Sequence, residues 1–108
     1  MRYYRYDGKD NVDMKEAKEV ALESALNEID RQPYVRFNRL GLINEKGEAI
    51  EFIRWDDDKW SIDVPIYVQG EYSYCLHEDF LNTGRVKRIT TLFHSGGDWR
   101  SLCKLEKR

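Results

Sequence analysis

With 108 residues, 41% of them hydrophobic and 35% charged, the chain has apolar mass for one core, and a single domain is expected over 1–108. Eighteen basic against twenty acidic residues give a net charge of −2, so no global field draws the chain to nucleic acid or anionic lipid. There is no secretory leader pattern and no apolar window near the length of a membrane span, and two cysteines, Cys75 and Cys103, are too few for a disulfide framework. The expectation is a cytoplasmic protein with free thiols and no membrane association.

Residues 2–6 (Arg-Tyr-Tyr-Arg-Tyr) have the propensity of a short edge strand, and Asp7, Gly8, Asp10 and Asn11 supply turn chemistry. Asp13 reads as a helix N-cap, with Glu16 completing a capping box and Val12 and Ala17 placed as a hydrophobic staple. The helix is predicted from Met14 to Arg31, ending before Pro33. Its apolar stripe is Met14, Ala17, Ala21, Ala25 and Ile29, flanked by Leu22 and Leu26, and the alanines allow close approach to a sheet.

Tyr34 to Asn44 reads as a long strand, turned at Asn44–Gly47 with Gly47 in the left-handed position, and Glu48 to Trp55 returns antiparallel to it. That register sets Leu42 opposite Ile50 and Leu40 opposite Phe52, leaving Phe37 and Trp55 on the other side, so a bend or bulge near Gly41 is expected. Trp60, Ile62, Val64, Ile66 and Val68 then alternate as a half-buried strand. Ile53 and Trp55 share the period, and Asp56 to Lys59 would form a four-residue loop that sets Trp55 against Trp60 and Ile53 against Ile62.

After a turn at Gln69–Glu71, Tyr72, Tyr74 and Leu76 alternate as a further strand, and His77–Gly84 reads as either a loop or one helical turn. Arg85 to His94 is strand-like, Ser95–Asp98 breaks the chain, and Trp99 to Leu105 fits a final strand, with a short helix capped by Asp98 as the alternative. The fold class is α+β: one N-terminal amphipathic helix packed on a twisted antiparallel sheet of four to six meandering strands.

No catalytic or cofactor motif stands out, and no cofactor is expected. Cys75 and His77 are the one local Cys/His pair and would share a strand face, the arrangement a thiol nucleophile and its base require. Cys75, His77, His94 and Cys103 are zinc-ligand types, but their spacing matches no common zinc pattern. Gly96–Gly97 lacks the residues that complete a phosphate loop. Asp63 is expected to pair with Arg54 or another arginine.

Arg2, Tyr3, Tyr4, Arg5 and Tyr6, with Arg36, Arg39 and the run Arg85-Val86-Lys87-Arg88, interleave cations and rings as single-strand binding requires, so a nucleic-acid-binding domain is the second reading. The first reading is a small non-enzymatic module that binds another protein, in the manner of an inhibitor, immunity-type or accessory protein. Its candidate site is the hairpin tip, Trp55, Asp56, Asp57, Asp58 and Trp60, where carboxylates stand between two large rings. A Cys75/His77 enzyme or metal site is the third reading.

Overall fold

Leu40 and Leu42, Ile50 and Phe52, and Trp60, Ile62 and Val64 each recur at every second position, so strands carrying them bury one common face. The computed structural model describes residues 1–108 and builds that face into an eight-stranded antiparallel sheet. The strands are β1 (Arg2–Tyr6), β2 (Asn11–Val12), β3 (Lys18–Glu19), β4 (Arg39–Ile43), β5 (Ala49–Asp56), β6 (Lys59–Val68), β7 (Glu71–Leu81) and β8 (Glu106–Lys107). Their order is β2-β1-β4-β5-β6-β7-β8, and β3 also pairs with β1. Two helices, α1 (Leu22–Arg31) and α2 (Thr83–Ser95), pack on the same face through Ala25 and Ile29 and through Val86, Ile89 and Phe93. Phe52 meets Trp60, and Phe93 meets Trp99, ring edge to ring face. No helix is long and apolar enough to cross a membrane, and neither Cys75 nor Cys103 is in a disulfide.

The α+β class stands, but the sheet is larger than four to six strands and the helix is not N-terminal. Of the predicted Met14–Arg31 helix only Leu22–Arg31 forms; Met14–Glu16 is a 3₁₀ turn and Asp13 makes no side-chain cap. The cause is the free edge of β1. Arg5 pairs with Val12 and Arg2 with Glu19, so that edge's backbone groups find strand partners on both sides of the turn. The alanine stripe is broken as a result: Ala25 alone enters the core, Ala21 is exposed, and Ala17 packs on the opposite sheet face.

Arg85–His94 is not a strand but the body of α2. Val86, Ile89, Thr90 and Phe93 are buried at helical spacing; the Asn82 side chain accepts from the Arg85 amide, and Gly96 ends the helix at φ 78°. His77–Gly84 is neither loop nor turn in its first part, because β7 continues to Leu81. The tail differs too: Trp99–Leu102 is a 3₁₀ turn, and the strand is confined to Glu106–Lys107.

The predicted Tyr34–Asn44 strand begins only at Arg39. Asn38 replaces a ladder partner with its side chain: Oδ1 accepts from the Arg54 amide at 2.9 Å and Nδ2 donates to the Arg54 carbonyl at 2.7 Å. The hairpin register from Leu40–Phe52 to Leu42–Ile50 is as predicted, with the Asn44 amide on the Glu48 carbonyl at 3.1 Å and Gly47 at φ 82°. The ladder runs through Gly41 with no bulge. The glycine clears space for the buried Tyr4 ring, since a Cβ at Gly41 would lie 2.1 Å from Tyr4 Cζ.

The Trp55–Trp60 pairing does not form. Phe52 faces Ile62, Ile53 faces Ser61, Arg54 faces Trp60 and Asp56 faces Lys59, so Trp55 is left over as a bulge. Packing decides this: with Phe52 and Ile62 opposed, both apolar stripes reach the helices, whereas the predicted pairing would turn one of them outward.

Candidate functional site

Since both helices lie on one side, the other side of β4–β7 can meet a partner. Near β1 it is roofed, because Val12 and Ala17 pack on Tyr4, Ile43 and Ala49. Beyond that roof, strand pairing sets Tyr4, Gly41, Glu51, Asp63 and His77 in one row across five strands. Glu51 accepts from the Tyr4 hydroxyl at 2.6 Å and from Arg39. Burial, then the Glu51 charge, pushes the Tyr4 phenol well above its ordinary range.

The row continues into a connected network. Asp63 Oδ1 takes His77 Nδ1 at 2.5 Å and Arg108 Nη1 at 3.3 Å. His77 Nε2 lies 2.8 Å from Asp79 Oδ1, which also accepts from the Ser61 hydroxyl at 2.6 Å, and Ser61 Oγ accepts from Trp55 Nε1 at 2.5 Å. The Ser61 hydrogen bond, and next to it the contact with His77, hold the Asp79 carboxyl below the usual range against its desolvation. Asp63 thus pairs with His77 and Arg108, not with Arg54, which lies on the helix side and donates to the carbonyls of Gln32 at 2.7 Å and Asp57 at 2.6 Å.

This wiring positions side chains. Ser61 is fully buried with its proton on Asp79, and both ring nitrogens of His77 face carboxylates. Cys75 shares this face with His77, as expected, but burial and then the Asp63 charge push its thiol up, away from the thiolate a nucleophile needs. Cys75, His77, His94 and Cys103 form no group able to hold a metal ion.

The hairpin-tip residues are divided by the fold. Trp60 is fully buried, with Nε1 donating to Thr83 Oγ1 at 3.0 Å. Asp58 accepts from the Thr83 amide at 2.8 Å, tying the tip to the first turn of α2, and that bond lowers its pKa. Asp56 accepts from the Asp58 amide at 3.1 Å and pairs with Lys59. Trp55, Asp57 and Asp58 are the exposed members, and of these Asp58 is already engaged by Thr83.

Trp55 has company that sequence reading missed. Phe80 (83% exposed), Phe37 (73%) and Trp55 (62%) are the most exposed large apolar side chains of the molecule. Trp55 and Phe37, with Tyr34, wall a groove of about 310 Å³ floored by Ile53. On its other side Trp55 shares a hollow with Lys59, Asp79 and Phe80. The bulge at Trp55 on β5 stands against Lys59–Trp60 of β6, and a second at Asp79–Phe80 on β7 stands against the adjoining Ser61. Phe37 and Phe80 sit at φ 64° and 66°, where a bulky L-residue is strained.

The cationic candidates for nucleic acid do not converge. Arg5 is held by Glu28 and Asp7, and Arg85 by Glu78, while Lys87 pairs with Asp30 of α1. Arg36 and Arg39 alone of that set line the groove. A small α+β protein with one helix-covered sheet face and one open face ringed by strained aromatics is the class defined here. No protein-family model matches the chain, and neither a curated protein nor a solved structure is detectably similar to it.

Proposed function

We propose that the protein is a small non-enzymatic module that binds another protein through the open sheet face and so occludes the partner's surface, as an inhibitor or accessory protein does. Trp55, flanked by Phe37 and Phe80, is the anchor; Asp56 and Asp57 form the adjoining rim, and Trp60 and Asp58 hold the hairpin in place from beneath. The observation that carries this reading is that the three most exposed apolar side chains, at two bulges and a strained loop position, gather with Trp55 between the other two. Bulges re-aim side chains, and strain at exposed positions serves no packing purpose. Large rings beside arginine are the usual composition of interface hot spots.

The test is capture from an extract of the native cell by immobilised wild type and by Trp55→Ala. Truncating a central tryptophan anchor costs at least about 2 kcal/mol, roughly a thirtyfold loss of affinity. Proteins enriched by the wild type are expected to be lost from the variant. If the same proteins are retained by both, or none is enriched by the wild type, the reading is wrong. Binding is also visible directly, because Trp60 and Trp99 are buried and Trp55 is the exposed fluorophore, so acrylamide quenching should fall when a captured partner is added.

A further inference from the structure

The charges on this surface are sorted by depth. In the groove and just beside it, the carboxylates are recessed and engaged: Asp63 of the lining and Glu51 behind Arg39 have side chains 10% and 15% exposed, and each accepts from two donors. The cations above them are open. Arg36 makes no ion pair and lies over the Phe37 ring at 4.8 Å, while Arg39 and Arg108 use only Nη1 within the chain. Past Trp55 the sign reverses, with Asp57 almost fully exposed and Asp56 half exposed beside Lys59. A chain of net charge −2 thus presents a positive groove and an acidic tip on either side of one tryptophan.

Resting on the docking reading above, we propose that the occupant is a polypeptide segment of mixed charge, with carboxylates against Arg36, Arg39 and Arg108, a large apolar side chain on Trp55, and a basic residue toward Asp56 and Asp57. Planar guanidinium groups with free nitrogens match carboxylates in paired hydrogen bonds. A nucleic-acid strand carries one sign of charge along its whole length, so the end that satisfied the groove would continue into the aspartates. Only a segment whose charge changes sign within a few residues complements both sides of Trp55.

Random peptides displayed on phage, selected on immobilised wild-type protein, test this assignment. Enriched sequences should carry Asp or Glu, then a large apolar residue, then Lys or Arg, in either chain direction. The best of these, as a fluorescent synthetic peptide, should bind Arg36→Glu at least about tenfold more weakly. Arg36 has no ion pair to lose, so the variant should fold as the wild type does, which circular dichroism checks. Enriched peptides without acidic bias, or equal affinity for Arg36→Glu, overturn the charge assignment; if those peptides still fail on Trp55→Ala, the docking reading survives. Peptides bound equally by wild type and Trp55→Ala, or no enrichment at all, overturn both. A labelled oligothymidylate that displaces the peptides in a Trp55-dependent way overturns the polypeptide assignment in favour of single-stranded nucleic acid.

Discussion

Replacing Phe80 with alanine and, separately, with glycine isolates the backbone strain attributed to the anchor. Both changes delete the same ring, which is 83% exposed, so the small burial lost is common to the pair and cancels in their difference. At a strand position of ordinary φ, glycine is less stable than alanine by roughly 0.5–1 kcal/mol, because the unfolded glycine chain has more freedom to lose. Phe80 is at φ 66°, where an L-residue costs about 1–2 kcal/mol that glycine avoids. Subtracting the midpoint of the first range from that of the second leaves Phe80→Gly more stable than Phe80→Ala by about 0.75 kcal/mol, an inversion of the usual order. Urea unfolding followed by the buried Trp60 and Trp99 resolves that gap, and in a melt it is about 2–8 °C for a chain of this size. The same inversion is expected at Phe37, with φ 64°. Phe80→Ala equal to or more stable than Phe80→Gly would refute the strain argument and, with it, the strongest reason to treat these rings as held for a partner.

Two further outcomes follow from the open face. Gly41→Ala drives a methyl group to within 2.1 Å of Tyr4 Cζ, and Tyr4 is pinned by its hydroxyl on Glu51, so the protein should lose roughly 3 kcal/mol in urea unfolding. Tyr4→Ala in the Gly41→Ala background should then cost less than Tyr4→Ala alone; additive losses would show that the two do not touch. Asp79, whose pKa is lowered first by Ser61 and next by His77, contributes stability that is present above the unfolded carboxylate value and is lost as pH falls through its folded value. The melting-temperature gap between wild type and Asp79→Asn should therefore be full at pH 7 and close as the pH falls through and below the ordinary carboxylate range; a gap that holds or widens in acid contradicts the assigned contacts.

Much of the central meander could be read in the sequence because its signals are local. Asn44–Gly47 specifies a turn, and the alternation of Leu40, Leu42, Ile50 and Phe52 then sets the register on its own. The outer elements were misread where two periods coincide or a distant edge competes. Val86, Ile89, Thr90 and Phe93 satisfy a helical stripe as well as a strand pattern rich in β-branched residues, and only the Asn82 cap and Gly96 separate the two. Residues 14–20 have helix-forming composition, but β1 offers them unpaired backbone groups, a demand written into another part of the chain.

The anchors were less legible, yet the sequence does contain a mark of where they fall. Ile50 and Phe52 on β5 and Trp60, Ile62 and Val64 on β6 are all even-numbered and all buried, so pairing them requires registers whose two numbers sum to an even value, as 52 and 62 do. Trp55 against Trp60 has an odd sum and cannot coexist with that core, while the tight tip closes on Asp56 against Lys59, also an odd sum, so one residue between the two registers, Trp55, is left over. On β7 the inward positions run through Leu76 and Glu78 and then jump to Leu81, a change from even to odd that likewise requires an extra residue. Both conflicts resolve against adjoining residues of β6, Lys59 and Trp60 on the β5 side and Ser61 on the β7 side, which is why Trp55 and Phe80 emerge on the two strands that flank β6, at one end of the open face. Period-two reading places an aromatic residue inside or outside; a clash of parity between two apolar stripes shows where the chain must turn one out. Large rings at two such positions and a third at the strained Phe37 make contact with a partner a better account of this surface than solubility or packing.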